Sequence, residues 1–228
     1  MGIKNNLELI NEKIEKAAQR SGRKRSDIKL LGVSKQVDTD RIKEAIKCGH
    51  FNFGENYVQE FISKYETLSE YKDIDWHFIG HLQKNKVKYI IDKVSLIQSV
   101  DTISLAEEIN KRAEKLGLQI TILIEINLGE ESSKSGIEIS ELDSFLEQIF
   151  AFDNLKISGL MALPPFCENA QDSRRYFIKL RELRDRFNSS YNNLNELSMG
   201  MSSDYEIAIE EGATIVRVGT AIFGERPK

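Results

Sequence analysis

Two cationic side chains stand where buried strands are predicted to end, and each could bind a ligand. Lys35 closes the apolar run 28–34, and Arg217 lies inside the apolar segment 215–218. Burial disfavours the charged form of a lysine and exposes a nucleophilic amine, the form that condenses with an aldehyde. A guanidinium keeps its charge in a protein and can only donate hydrogen bonds. The alternatives are a lysine whose ammonium reaches water and an arginine paired with a core carboxylate.

Two turns near the C-terminus contain the glycines and hydroxyls that are typical of a phosphate site. Gly200 is followed by Ser202, Ser203 and a short helical pattern, 205–211, and a second glycine, Gly219, is followed directly by Thr220. Backbone N–H groups without partners and hydroxyls at such turns attract an anion. An ordinary N-cap is the alternative for the two serines. A second turn of the same kind after the last predicted strand favours phosphate.

An amine, an anion site and a fixed cation together fit pyridoxal 5′-phosphate (PLP). The aldehyde of PLP would meet Lys35, and its phosphate would meet Ser202 and Thr220. Arg217 would donate a hydrogen bond to the pyridine nitrogen and keep that nitrogen unprotonated. A metal-free aldolase acting on a sugar phosphate would use the same amine and anion site, but it would leave Arg217 without a role.

Eight apolar segments alternate with helical patterns along the whole chain. Strands are predicted near 28–34, 50–53, 74–79, 94–99, 119–126, 155–160, 195–199 and 213–218. Apolar residues recur with the period of a helix at 103–116, 139–149 and 176–187. This alternation predicts one α/β domain over 1–228, a (β/α)8 TIM barrel with an extra N-terminal helix within 1–20. An open doubly wound sheet is the alternative, but no Gly-x-Gly-x-x-Gly follows any strand.

Charge and composition disfavour several other classes of protein. The chain has 228 residues, 32 basic and 36 acidic, and a net charge of −4, which gives no electrostatic case for a nucleic-acid or membrane partner. No apolar stretch approaches the length of a membrane span, and the N-terminus has no signal core, so we expect a cytoplasmic protein. His77 and His81 have a spacing that can bind zinc on a helix, but Gly80 separates them at a strand end. We therefore expect no metal site.

Seven segments of the chain resemble, in order, motifs of the pyridoxal phosphate homeostasis protein family. They are 32–35, 53–60, 77–86, 133–136, 159–162, 197–202 and 216–224. The resemblance implies a barrel like the N-terminal domain of alanine racemase, with PLP on Lys35 as an internal aldimine. It also implies a role in binding, buffering and delivering the cofactor. Carried over by position, the cofactor residues would be Lys35, Asn56, Met161, Ser202, Ser203, Arg217, Gly219 and Thr220.

This resemblance is compatible with two functions, that of a PLP carrier and that of a small amino-acid racemase. Racemisation needs a base on each face of the substrate carbon, and in alanine racemases the second base is a tyrosine supplied across a dimer by a C-terminal β-domain. We expect this chain to lack that domain, although Tyr57 or His81 could replace the tyrosine. An unprotonated pyridine beside Arg217 is also a poor electron sink. These arguments favour the carrier.

The carrier interpretation has consequences for partners and for one more lysine. We expect a monomer whose partners are PLP and, on delivery, the apo-enzymes that accept it. Lys134 lies in the polar loop 129–136 after the fifth predicted strand. It could take the aldehyde from Lys35 during loading or release, by exchange of one amine for another.

Overall fold

Eight parallel strands, each followed by a helical segment or turn, surround the centre of the molecule. The computed structural model describes residues 2–129, 135–165 and 167–225. In this part of the chain the strands are β1 Lys29–Val33, β2 Asn52–Glu55, β3 Asp75–Phe78, β4 Leu96–Val100, β5 Ile120–Asn127, β6 Ile137–Glu138, β7 Leu155–Ala162, β8 Glu196–Ser198 and β9 Ile215–Val218. The α-helices are α1 Ile3–Arg20, α2 Thr39–Lys47, α3 Val58–Thr67, α4 Ile103–Leu116, α5 Leu142–Ile149, α6 Arg174–Tyr191, α7 Tyr205–Glu210 and α8 Thr220–Phe223.

The pairing of the strands closes the sheet into a barrel. Their order is β4-β3-β2-β1-β9-β8-β7-β5, and β5 pairs in turn with β4. The predicted TIM barrel is therefore confirmed, and the open doubly wound sheet is excluded. All eight predicted strands form, with no bound shifted by more than two residues. The two-residue β6, which was not predicted, pairs with the last two residues of β5 and stands outside the closed ring.

Local signals in the sequence explain where the helices begin and end. The Thr102 side chain accepts the Leu105 N–H at the start of α4, and Gly117 stops the helix with φ +64°. The predicted N-terminal helix forms as α1, which buries Ile10 and Ile14. It packs against α2, α7 and α8. Of these, α7 precedes and α8 follows the last strand, β9. Among the described residues, no helix is both long and apolar enough to cross a bilayer.

The core has two parts, because alternate strand residues point inwards and outwards. The outward residues pack under the helices, whereas the barrel interior holds a small apolar cluster: Leu31, Val33, Ile79, Leu96, Leu123, Met161 and Ile215. Gly159 permits close strand contact, since a Cβ there would lie 1.9 Å from the carbonyl oxygen of Glu196. Below the mouth of the barrel, the buried side chains of His77, Gln98 and Ser198 interrupt this apolar filling.

Candidate functional site

A cavity of about 480 Å³ opens at the carboxyl ends of the strands. That volume falls in the usual range of about 300–1,000 Å³ for small-molecule sites, and this face carries the active site in TIM barrels. The residues lining the cavity are Val33, Lys35, Asn56, Ile79, Leu163, Met201, Ser202, Ser203, Arg217, Gly219 and Thr220. Seven of the eight residues predicted to bind the cofactor are thus brought together from the ends of four strands.

Lys35 lies two residues beyond the end of β1, in a turn whose backbone is held on both sides. The Ser34 carbonyl accepts a hydrogen bond from Lys64 Nζ at 2.5 Å, and the Ser34 hydroxyl donates to Glu55 Oε1 at 2.6 Å. On the other side, the Gln36 N–H donates to Glu60 Oε1. Gln36 has φ +58°, an unusual conformation for a residue with a side chain. The hydrogen bonds on either side of Lys35 therefore fix where its side chain leaves the backbone.

Those hydrogen bonds belong to a buried ionic group, which we call the Lys64 cluster: Lys64, Glu55 and Glu60. Lys64 Nζ lies 2.8 Å from Glu55 Oε1 and 2.6 Å from Glu60 Oε1. Glu55 has no exposed surface, and Lys64 is 5% exposed. Burial raises the pKa of the Glu55 carboxyl, and the charge and hydrogen bond of Lys64 only partly oppose that rise. The cluster places an ion pair, with its desolvation cost, directly behind the predicted ligand-binding lysine.

Arg217 reaches the cavity from β9 with its guanidinium almost fully buried. Nη1 donates to Ser198 Oγ at 2.5 Å, and Nη2 donates to the Ala162 carbonyl at 2.8 Å. Burial lowers the pKa of Arg217 to about 10, against the opposing charges of Glu125 and Asp204. The side chain therefore stays protonated at neutral pH. Within the described residues Arg217 forms no ion pair with a carboxylate, so the alternative of a paired core arginine is not what the structure shows.

The turn after β8 supplies the cavity with hydrogen-bond donors. Gly200 turns the chain with φ +89°, and the Met201 N–H is taken by Asp204 Oδ1 at 2.7 Å. Among the described residues, the N–H groups and hydroxyls of Ser202 and Ser203 have no acceptor. Asp204, and neither serine, is the N-cap residue of α7. The donors of the two serines are therefore not used within the described part of the chain.

The second predicted turn completes this group of donors. Gly219 is the N-cap residue of α8, and Thr220 is its first helical residue. Gly219 is buried while the Thr220 side chain is exposed, and both line the cavity. The two turns that the sequence pairs thus lie side by side after β8 and β9, as a phosphate site between neighbouring strand ends requires.

Asn56 and Met161 have different positions although both match motifs at the mouth. Asn56 lines the cavity, and its Oδ1 is buried with no hydrogen-bond partner among the described residues. A bound group that donates a hydrogen bond would satisfy this oxygen. Met161 is 1% exposed in the interior cluster and does not line the cavity, whereas Leu163, which directly follows β7, does. Lys134 lies outside the described residues.

The wall contains residues that the sequence analysis did not find. Val33, Ile79, Leu163 and Met201 supply its apolar surface, and the Lys64 cluster supports it from behind. The i,i+4 spacing of Glu60 and Lys64 is visible in the sequence, but such spacing is typical of exposed helix pairs. His77 is buried in the barrel while His81 is exposed, and no three His, Cys, Asp or Glu side chains of the described chain are placed to bind a metal.

Fold and site together define a class: parallel eight-stranded barrels with one lysine and a group of hydrogen-bond donors at the mouth. The family model described as the alanine racemase N-terminal domain matches residues 5–227. A pyridoxal phosphate homeostasis protein of Aquifex aeolicus is 52% identical over 221 residues, which cover 96% of each chain. This chain belongs to the pyridoxal phosphate homeostasis protein family, as its seven motifs predict.

Solved structures agree with this assignment. A protein of unknown function from Bifidobacterium adolescentis matches with a TM-score of 0.92 at 36% identity, over 97% of this chain and 94% of the other. PipY of Synechococcus elongatus, solved with PLP bound, matches with a TM-score of 0.84 at 35% identity. That match covers 94% of this chain and all of PipY.

Proposed function

We propose that this protein binds PLP in the cavity, holds it covalently through Lys35, and buffers and delivers it in vitamin B6 homeostasis. The observation that carries the proposal is the meeting of one lysine, one buried arginine and three hydroxyls on a single wall. The name of the Aquifex aeolicus relative and the PLP bound to PipY support it. Apo-enzymes that require PLP would be the recipients.

The residues present fit the chemical groups of PLP. The hydroxyls and N–H groups of Ser202 and Ser203, with Thr220, would hold the phosphate. The amine of Lys35 would condense with the aldehyde and release one water molecule. Arg217 would donate a hydrogen bond to the ring nitrogen, and the orphaned Asn56 Oδ1 would accept one from the ring hydroxyl. When bound, PLP supplies an electrophilic carbon and an electron sink, while the protein supplies binding and orientation.

The composition of the wall supports a carrier over a racemase. Lys35 and Arg217 are the only titratable side chains among the described residues that line the cavity. Tyr57 and His81 line a neighbouring groove, which shares Asn56 with the cavity, and are exposed. A positioned second base typically contributes about 10²–10⁴-fold to such proton transfers. A guanidinium at the ring nitrogen also weakens the electron sink that carbanion formation needs.

Borohydride reduction tests the covalent site. The protein loaded with PLP is reduced and digested, and the modified lysine is located by mass spectrometry. We expect the phosphopyridoxyl group on Lys35, and its loss in Lys35→Ala. Lys86→Ala, at a lysine of the neighbouring groove, is the matched control and should keep the label. A label confined to any other lysine in the wild-type protein would overturn the assignment.

Delivery needs a separate measurement. Loaded protein is mixed with an apo-enzyme that requires PLP, in the presence of a scavenger that consumes PLP free in solution. We expect the apo-enzyme to gain activity faster than with the same amount of free PLP. If the apo-enzyme gains activity no faster than with free PLP, or gains none, the protein binds PLP but does not deliver it.

A further inference from the structure

A row of buried polar side chains crosses the barrel interior beneath the cavity. It starts at Arg217 on β9 and continues through Ser198 on β8, Gln98 on β4 and His77 to Asp75, both on β3. Ser198, Gln98 and His77 are at most 1% exposed. TIM-barrel interiors are usually filled by branched apolar residues, and burying polar groups is costly unless they are hydrogen-bonded. We call this row the interior chain.

The chemistry of each group fixes the direction of the hydrogen bonds. Arg217 Nη1 can only donate, so the Ser198 oxygen accepts at 2.5 Å, and the Ser198 hydroxyl then donates to Gln98 Oε1 at 2.6 Å. The amide nitrogen of Gln98 therefore faces a ring nitrogen of the next residue.

The same logic fixes the tautomer of His77. Gln98 Nε2 lies 2.8 Å from His77 Nδ1 and can only donate to it, so Nδ1 carries no proton. The neutral imidazole then has its proton on Nε2, which lies 3.2 Å from Asp75 Oδ2. Every hydrogen bond of the interior chain is thus donated away from the cavity, and the chain ends on a carboxylate.

Asp75, at the far end of the interior chain, is well suited to accept hydrogen bonds. Asp75 also receives a hydrogen bond from Lys29 Nζ at 2.7 Å and one from Ser95. Burial alone would raise the pKa of Asp75, but the hydrogen bonds from His77, Lys29 and Ser95 hold it below its ordinary range. If the Gln98 amide were reversed, both nitrogens of His77 would have to carry protons, and the Ser198 hydroxyl would have no acceptor. The hydrogen bonds of the interior chain therefore satisfy every group in one direction only.

We propose that Ser198, Gln98 and His77 are positioning residues that hold the Arg217 guanidinium in place at the pyridine nitrogen of PLP. This inference rests on the proposed function. With the Ala162 carbonyl on Nη2, Ser198 anchors Nη1, and Gln98, His77 and Asp75 keep the Ser198 oxygen turned towards Arg217. The polar interior thereby fixes the one cation that meets the cofactor ring.

The tautomer of His77 tests the hydrogen-bond directions of the interior chain in the protein without PLP. The protein has three histidines, so ¹⁵N–¹H correlation spectra of the rings are simple, and His81→Gln assigns one of them. We expect Nε2 of His77 protonated and Nδ1 unprotonated at neutral pH. An Nδ1–H tautomer or a doubly protonated ring would overturn the inference.

A cofactor titration tests the positioning. Ser198→Ala should weaken PLP binding roughly tenfold, the effect of losing one charge-assisted hydrogen bond. Ser99→Ala is the matched control, because Ser99 is equally buried but donates to the Gly80 carbonyl outside the interior chain, and it should bind PLP as the wild type does. In an Arg217→Gln background, Ser198→Ala should have no further effect on affinity.

The outcomes separate the two proposals. A wild-type protein that does not bind PLP would overturn the proposed function. Normal wild-type binding with equal affinity in Ser198→Ala, or an equal loss in the Arg217→Gln background, would overturn the positioning role alone. If Arg217→Gln does not fold, the His77 spectrum and the comparison of Ser198→Ala with Ser99→Ala still decide.

Discussion

Replacing Lys64 by methionine removes the positive charge of the Lys64 cluster and leaves its two carboxylates, of which that of Glu55 is fully buried. Methionine keeps an unbranched apolar stem but has no ammonium, so the Ser34 carbonyl and the carboxylates of Glu55 and Glu60 each lose the charged one of their donors. Glu60 is partly exposed and can be hydrated, whereas Glu55 has no exposed surface. Breaking a buried ion pair in this way costs about 3–5 kcal/mol. Since domains are stable by about 5–15 kcal/mol, Lys64→Met should lose a large part of its unfolding free energy.

The loss of unfolding free energy in Lys64→Met should depend on pH, and the pKa of Glu55 decides whether it grows or shrinks as the pH rises. Burial already raises the pKa of Glu55 in the folded protein, so between its unfolded and folded pKa values the folded state binds more protons. Stability therefore falls as the pH rises through that window. Lys64 opposes this rise in the pKa of Glu55, so the folded-state pKa of Glu55 is higher in Lys64→Met. The pH range over which stability falls then extends to higher pH. We expect the destabilisation by Lys64→Met to be larger near pH 8 than near pH 5.

Urea unfolding followed by circular dichroism at both pH values measures this effect. Lys4→Met is the control, because Lys4 and Glu8 form an i,i+4 pair at 4.0 Å on the exposed face of α1, and such pairs contribute little. Adding Glu55→Gln to Lys64→Met should recover part of the loss, since it removes the uncompensated charge. Equal, small shifts in Lys64→Met and Lys4→Met at both pH values would refute the reasoning.

Three further outcomes follow from the site. Ser202→Ala or Thr220→Ala should weaken PLP binding roughly tenfold or more but leave the weaker binding of pyridoxal unchanged in a fluorescence titration; equal losses for both vitamers would argue against a phosphate site. Gly80→Ala should lower both the melting temperature and PLP affinity, because its Cβ would lie 2.3 Å from the carbonyl oxygen of Asn56; wild-type values in calorimetry and titration would show that the backbone adjusts without cost. Long incubation with L-alanine should leave its chirality unchanged by chromatography, and racemisation at ordinary enzyme rates that Lys35→Ala abolishes would establish an enzyme.

The sequence alone determines the order and type of the main elements. Strands and helices leave periodic apolar patterns within a few residues, and all eight barrel strands could be predicted from such patterns. The same patterns reveal Lys35 and Arg217, because a charge at the end of an apolar run is locally conspicuous. Since parallel strands in a barrel end on one face, their meeting at a single cavity could also be expected.

Only the tertiary structure decides how deep each side chain lies and what it touches. Met161 and Leu163 are two residues apart at the end of β7, yet the first is packed in the interior and the second, just past the strand, lines the cavity. Glu60 and Lys64 have the spacing of a surface pair, but the strand-end carboxylate of Glu55 draws the lysine into a buried cluster.

The interior chain shows why such contacts escape the sequence. Ser198 and Gln98 are 100 residues apart and share a hydrogen bond because β4 and β8, with β5 and β7 between them in the ring, both turn side chains into the interior of a closed barrel. Periodicity records which face of an element is buried, but it does not record the register between distant strands or the group that meets a buried donor. Those are set by closure of the sheet, and the pairing of polar groups in the interior follows from it.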